Sequence, residues 1–456
     1  MTKRKEDILW IFSLLCAAGI MLVPVAGVFT IQMKSFLAIT VCGIMLCAFG
    51  IASNMLLGIV LPLLYLLFSI APGDVVYGGW LGTVPMVTLG TLLLAVILED
   101  CGLLRRIALF CITRSGGTYK GVCYALLCAG FVCSLMTSCC VQYVFAALAY
   151  GVCRTMKLKP SPAAAGVMLS AAMGTISANG VIPYPGFIGV LTAGASIPGD
   201  VISVSWIEAI WYLWPGALFI VFYLWFMLNV MIEAPEISAR EAFEQEYLQL
   251  GPMSLKEKKA VAILMIIFLM LLTSGWTGID TAWPFMLVPW AFFLPGIRIA
   301  DEKTLKKVDY GMVFLIVAFI SIGNVAAHVH LDQLILGWLM GQFEDAGFYK
   351  VVAFTFIFGV IMNFLFTPLG YFSAFAGVIG SLFRQMSLPV ICGLFIFQYS
   401  SDAIIMPYEN MAYLVYFSFG MFTIRDLAKL YVWKIPFMLV FISIVMTGWW
   451  KVIGLF

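Results

Sequence analysis

Within an apolar stretch over residues 390–420 the sequence places Ser400-Ser401-Asp402 and then Pro407-Tyr408-Glu409-Asn410. An ionisable residue deep in an apolar segment is costly and marks a functional position by default, unless it sits at a solvated helix end. A carboxylate there repels an anion unless it is protonated or paired with a cation. Asp402 and Glu409 are therefore candidate coupling sites for a proton or a cation. A second apolar stretch, 162–196, is crowded at its middle by Gly174, Asn179, Gly180, Pro183, Pro185 and Gly186. Two more break at Thr137-Ser138-Cys139-Cys140 and at Thr367-Pro368-Leu369-Gly370. The candidate substrate-binding residues are Thr137, Ser138, Cys139, Cys140, Asn179, Gly180, Thr367, Gly370 and Asn410.

The chemistry expected of such breaks is ion binding. Proline removes a backbone donor and glycine frees the backbone, so a helix divides there into two halves. The N-terminus of a half-helix presents unpaired N–H groups and attracts anions. Its C-terminus and nearby unwound carbonyls suit small cations. The competing readings are small residues that merely let helices approach closely, or simple kinks. The occurrence of the breaks in two pairs favours the binding reading.

The elements that would hold these residues follow from composition. The chain of 456 residues is 63% hydrophobic and 11% charged, whereas a soluble domain carries about a quarter charged residues. It reads as an all-α polytopic membrane protein with no soluble domain left over. A hydrocarbon core of roughly 30 Å needs about 20 apolar helical residues. On that scale spans fall near 8–30, 34–51, 54–72, 80–100, 162–196, 203–232, 258–274, 281–297, 309–327, 390–420 and 432–455. The first is too long and apolar for a cleavable leader. Two re-entrant hairpins are added at 118–152 and 349–386, giving eleven transmembrane helices plus two hairpins. Amphipathic stretches at 103–113 and 331–343 read as interfacial helices. Ser254 and Glu257 suit a capping box ahead of the span at 258.

The two hairpins belong to a repeat. Thr118-Tyr119-Lys120-Gly121-Val122 reappears as Phe348-Tyr349-Lys350-Val351-Val352, and Arg154-Thr155-Met156 as Arg384-Gln385-Met386 at the same offset. The first half is thus 1–232, with a hairpin entering from the cytoplasm and the split helix 162–196. An acid-rich cytoplasmic linker helix occupies 233–257. The second half is 258–456, with a hairpin entering from the extracellular side and the split helix 390–420. This is an inverted-topology repeat, and the four breaks should meet near the membrane midplane.

Charge distribution orients the chain. Of its 25 Lys and Arg, all but Lys34, Lys350, Arg384 and Lys451 fall on the side of the N-terminus, which the positive-inside bias assigns to the cytoplasm. The C-terminus is then extracytoplasmic, in a cell inner (plasma) membrane. The 12 cysteines are scattered as small buried hydrophobes, without metal-ligand spacing. His328 and His330, the sole histidines, have no histidine counterparts in the first half. No metal site, disulfide or nucleic-acid partner is expected, and an enzyme would lack a nucleophile–base pair at the midplane.

Ile97-Leu98-Glu99-Asp100-Cys101-Gly102-Leu103-Leu104-Arg105-Arg106-Ile107-Ala108 resembles the segment entering the first hairpin of the divalent anion:sodium symporters of the ion transporter superfamily. Ser401-Asp402-Ala403-Ile404-Ile405-Met406-Pro407 and Gly420-Met421-Phe422-Thr423-Ile424-Arg425-Asp426 are similar to that family's second split span and the loop beyond it. The resemblance runs over nearly the whole chain. It implies a homodimer and an elevator mechanism, in which a transport domain carrying both hairpins slides against a scaffold built from spans such as 34–72. It also implies hairpin tips that bind substrate carboxylates and sodium. Ser138 matches the serine of that family's Ser-Asn-Thr tip, while Cys139 and Cys140 replace its Asn and Thr. The family's Thr-Pro-Pro-Asn is reduced here to Pro183-Tyr184-Pro185-Gly186 and Pro407-Tyr408-Glu409-Asn410.

These readings converge on a secondary active transporter of a small organic anion, a di- or tricarboxylate. Sodium symport, proton symport and exchange all stay open, with a sodium ion as possible cofactor. The partners expected are the small-molecule anion, the lipid bilayer and a second copy of the chain. The rivals are a cation/proton antiporter of the same superfamily and, further off, an integral-membrane enzyme.

Overall fold

The computed structural model describes residues 3–25, 29–49, 51–137, 141–197, 199–280, 282–331, 334, 347–365 and 368–455. Among these residues all regular structure is helical, apart from two isolated β-bridges. The first helices are α1 (Lys3–Leu22), α2 (Ile31–Ala48) and α3 (Asn54–Leu67). Thr30 and Ser53 cap α2 and α3, their side chains accepting from Met33 N and Leu56 N. Such caps satisfy donors that the helix itself leaves orphaned.

Next come α4 (Val84–Asp100) and α5 (Leu103–Arg114). They meet at 65°, and Gly102 between them takes a φ of 82° that a side chain would resist. Then follow α6 (Tyr119–Thr137), α7 (Gln142–Thr155), α8 (Pro162–Thr175) and α9 (Pro185–Ala195). The expected single span at 203–232 is bent. It divides into α10 (Trp206–Leu213) and α11 (Gly216–Phe226), at an angle of 50°, because Pro215 cannot donate to the helix ladder.

The linker forms α12 (Arg240–Gln249), and α13 spans Leu255–Thr277. The capping box ahead of α13 forms: Ser254 N donates to Glu257 Oε2 at 2.7 Å and Glu257 N to Ser254 Oγ at 3.2 Å. Arg106 of α5 adds its Nε to Glu257 Oε1 at 2.6 Å. The segment expected as a span at 281–297 holds only α14 (Ala282–Leu287) before a tighter turn, Val288–Phe293, where Pro289 interrupts the ladder.

Besides the short helical turns Gly73–Val76 and Glu302–Lys306, the rest comprises α15 (Tyr310–His328), α16 (Phe348–Leu365), α17 (Pro368–Gln385), α18 (Val390–Tyr399), α19 (Met411–Ser418), α20 (Ile424–Tyr431), α21 (Lys434–Phe441) and α22 (Thr447–Val452). Among the described residues, Tyr119–Thr137, Tyr310–His328 and the run Ile424–Val452 are each long and apolar enough to cross a membrane. Most of the interfacial helix expected at 331–343 lies outside the described residues.

Close approaches set the frame around the breaks. A Cβ on Gly130 of α6 would come within 2.9 Å of Gly174 C on α8, so the two backbones cross in near contact, as small residues permit in lipid. Gly58 plays the same part between α3 and α15, where a Cβ would lie 2.6 Å from Phe314 C. Large apolar side chains such as Leu14, Leu67, Phe222, Trp225, Met265 and Ile444 are exposed on the outside. That is costly against water and natural against hydrocarbon.

Candidate functional site

The two split segments unwind at matching places. In the first, α8 ends at Thr175, a tight turn runs Ser177–Gly180, and α9 starts at Pro185. Asn179 holds this break in shape by accepting from Tyr184 N on its Oδ1 at 3.2 Å. In the second, α18 ends at Tyr399, tight turns cover Ser400–Asp402 and Pro407–Glu409, and α19 starts at Met411. Asn410 caps α19, accepting from Ala412 N on Oδ1 at 2.9 Å. Each asparagine also carries Nδ2, a donor that an anionic ligand could use.

A cavity of about 100 Å³ lies where these breaks meet α7 and α17. One wall consists of helix beginnings: Gln142 and Tyr143 of α7, Tyr184 and Phe187 at the start of α9, Pro368 and Leu369 of α17, and Asn410 and Ala412 at the start of α19. Thr175, Ile176 and Asn179 complete that wall. The facing wall is nearly all apolar, built from Cys47, Leu92, Met312, Leu315 and Phe319. Among the described residues, none that lines the cavity is Arg, Lys, His, Asp or Glu.

Four helix N-termini thus point their first turns at one uncharged cavity. A helix N-terminus carries an effective charge of roughly +0.5; at α19 the amide of Ala412 is already taken by Asn410. No side chain caps α7 or α9, though α9 opens on Pro185, which has no N–H, and Phe187 N already donates to Tyr184 O at 2.9 Å. Helix N-termini suit an anion whose carboxylates accept hydrogen bonds, while Thr175 and Ile176 bring the C-terminal end of α8, the opposite pole, to the same lining.

The acids of the second break do not line this cavity. Glu409 is 1% exposed. Its Oε1 accepts from Ile405 N at 2.9 Å and Met406 N at 2.6 Å, and its Oε2 from Asn363 Nδ2 of α16 at 3.2 Å. It holds the unwound backbone and ties it to α16. Asp402 reaches the other way. Its Oδ1 accepts from Ser177 Oγ of the first break at 2.7 Å, and its Oδ2 lies 2.7 Å from Lys434 Nζ. Lys434 is completely buried and also donates to Ser177 Oγ at 2.9 Å. Its ammonium stands 4.7 Å from the centre of the Tyr431 ring and 5.9 Å from that of Tyr223.

Of the remaining residues singled out in the sequence, Thr137 is buried at the end of α6 and donates to Cys133 O at 2.8 Å. Gly180 contributes its carbonyl to Tyr399 OH at 2.7 Å, and Gly370 is buried in the first turn of α17, next to Leu369. Ser138, Cys139, Cys140 and Thr367 lie outside the described residues. Asn179 and Asn410 are the ones brought together at the cavity. Sequence reasoning passes over Gln142, Tyr143, Thr175 and Tyr184, although Gln142 is the first amide after the break at 137–140. It also assigns Lys434 to the cytoplasmic side, whereas the structure buries it. A lone lysine between Trp433 and a run of apolar residues is the available signal. Among the described residues no group of His, Cys, Asp or Glu is arranged to hold a metal ion.

Comparison with known proteins adds three findings. A family described as citrate transporter matches residues 8–391. A protein of Cupriavidus necator described only as a membrane protein is 26% identical over 282 residues, 58% of this chain and 52% of that protein. This chain therefore spans about half the length of that relative. Among solved structures, the Alcanivorax borkumensis YdaH transporter superposes with a TM-score of 0.54 and 16% identity, covering 86% of this chain and 89% of that one. At that identity the likeness is one of fold.

Proposed function

The chain belongs to the citrate transporter family, and we propose that it carries citrate or a similar di- or tricarboxylate across the membrane by secondary active transport. It is a multi-pass membrane transporter rather than an enzyme. The observation that carries the substrate reading is the convergence of four helix N-termini on one cavity free of charged side chains. A polycarboxylate would take its hydrogen bonds from backbone N–H groups and from the amides of Asn179, Asn410 and Gln142.

The movement proposed is an elevator. The helix pairs α6–α7 and α16–α17 would act as re-entrant hairpins in an inverted repeat within an eleven-span topology. With the split segments they would slide past a scaffold that includes α2 and α3. The largely apolar wall from α2, α4 and α15 suits such a sliding surface, and the bond from Tyr184 OH to Thr88 Oγ1 of α4 at 3.0 Å is one that the movement would have to break. The chain would act as a homodimer in the inner membrane, N-terminus cytoplasmic and C-terminus outside. Driving ions open to it are sodium and protons, with exchange as the third mode. Glu409 is the proposed proton-coupling residue, because protonation would weaken its hold on the amides of Ile405 and Met406 and so loosen the second break.

The test is uptake of radiolabelled citrate into proteoliposomes holding the purified protein, under imposed proton and sodium gradients. Saturable accumulation, lowered at least tenfold by Asn179→Ala and by Asn410→Ala, is the expected result. Well-folded protein that accumulates no citrate, other tricarboxylate or dicarboxylate would remove the anion reading.

A further inference from the structure

Broken helices offer two kinds of site, and here the two have different fates. The anion-facing N-termini open on a cavity. The cation-facing parts are closed by the protein's own donors. Gln398 Nε2 donates to Asn179 O at 2.8 Å, and Tyr399 OH to Gly180 O at 2.7 Å. These are two of the unwound carbonyls of the first break, groups of the kind that would suit a small cation. The acid of the second break, Asp402, has its own cation in Lys434 at 2.7 Å. Ser177 Oγ completes the set by donating to Asp402 and accepting from Lys434 at 2.9 Å. The Tyr431 and Tyr223 rings lie beside the ammonium, as aromatic faces do around a desolvated cation.

Three separate parts of the chain meet at this point: the first break through Ser177, the second through Asp402, and α21 through Lys434. One oxygen of an acid, one hydroxyl and two aromatic faces are a coordination set that a free monovalent cation could use. An ammonium on a lysine stem occupies it instead. It also cancels the Asp402 charge, which would otherwise work against the positive helix ends at the neighbouring cavity.

We infer that Lys434 is a tethered cation, standing where the two breaks would otherwise bind a free one, so that anion binding by this chain needs no soluble cation at Asp402. The inference rests on the transporter reading for its meaning, but its test does not depend on the substrate. Purified protein is titrated with sodium, potassium, ammonium and methylammonium chlorides, with choline chloride keeping ionic strength constant, while the unfolding midpoint is followed. A ligand that binds the native state raises that midpoint by mass action.

Wild-type protein is expected to show no shift that depends on Asp402. Lys434→Ala empties the ammonium position, and its midpoint should start lower and rise saturably with sodium, ammonium or methylammonium, by on the order of 2 °C or more. The rise should vanish in Asp402→Asn/Lys434→Ala. If Lys434→Ala does not fold alone, it is purified throughout in methylammonium, and loss of the folded state on removing that ion counts as the same positive result. Two outcomes overturn the inference. One is a wild-type sodium response abolished by Asp402→Asn/Lys434→Met, a pair that fills the space without charge. The other is a folded Lys434→Ala protein indifferent to every cation. Failure of citrate uptake with this cation pattern intact would count against the substrate reading alone.

Discussion

The first and second breaks share one architecture and differ in charge. Residues 176–184 carry no ionisable side chain except Tyr184, whereas residues 400–410 carry Asp402, Glu409 and Tyr408. One would expect the acidic break to be the ion site and the neutral one its passive copy. The arrangement is different. Both breaks give an asparagine and a helix N-terminus to the cavity, and in that respect they are equivalent. The acids of the second break are spent on holding the structure: Glu409 on its own backbone and Asn363, Asp402 on Ser177 of the first break and Lys434. At Asp402 and Lys434 the buried charge marks where the two breaks are fastened together. The cavity proposed to receive the ligand is lined by amides and helix beginnings on an otherwise apolar surface.

Breaking that fastening should have the largest effect. Removing one partner of a buried ion pair leaves an uncompensated charge and costs about 3–5 kcal/mol. Lys434→Ala should therefore lower stability sharply in a denaturation assay, while Asp402→Asn/Lys434→Met should recover most of the loss. A double variant as unstable as the single one would mean that the pair does more than balance charge. Ser177→Ala removes a hydroxyl bonded to both charged groups, and hydrogen bonds to charges are worth about 1.5–3 kcal/mol. Its expected loss is smaller than that of Lys434→Ala, and a neutral outcome would separate the first break from the fastening.

The equivalence of the two asparagines is tested next. Asn410→Ala loses the cap on Ala412 N and should cost about 0.5–2 kcal/mol of stability. Asn179→Ala loses its bond to Tyr184 N and should cost a similar amount, with citrate uptake falling at least tenfold in each. If only one of the pair affected uptake, the cavity would belong mainly to one repeat. The smallest structural effect is expected from Glu409→Gln, which keeps a carbonyl oxygen for the amides of Ile405 and Met406. Stability should change little while the pH dependence of uptake flattens. An unaltered pH profile would take Glu409 out of coupling and leave it with its structural role.

Much of the frame is legible in the residues themselves. Composition sets the class, since 63% hydrophobic residues leave no water-soluble alternative. Breaks are readable at Gly174 to Gly186 and at Pro407, because glycine and proline act through local backbone chemistry. Less legible are the bends. Pro215 and Pro289 carry the same signal, yet they lie in stretches apolar enough to read as single spans, so hydropathy outweighs the break. The cavity residues Gln142, Tyr143 and Phe187 resemble ordinary packing residues in the sequence. Only their place in the first turn of a helix facing the cavity distinguishes them.

By itself, then, the sequence determined that this chain is a helical membrane protein, where its two split segments break, and that acids and amides stand at those breaks. These are local properties of hydropathy and backbone chemistry, readable within a window of a few residues. Tertiary structure alone decided what each polar group does there. Ser177 meets Lys434 across 257 positions of chain, and Asn363 meets Glu409 across 46. Such partners are chosen by how helices pack, through close crossings like Gly130 against Gly174. In a low-dielectric interior an unpaired charge is so costly that packing also settles which groups stay free for a ligand and which are consumed in holding the fold.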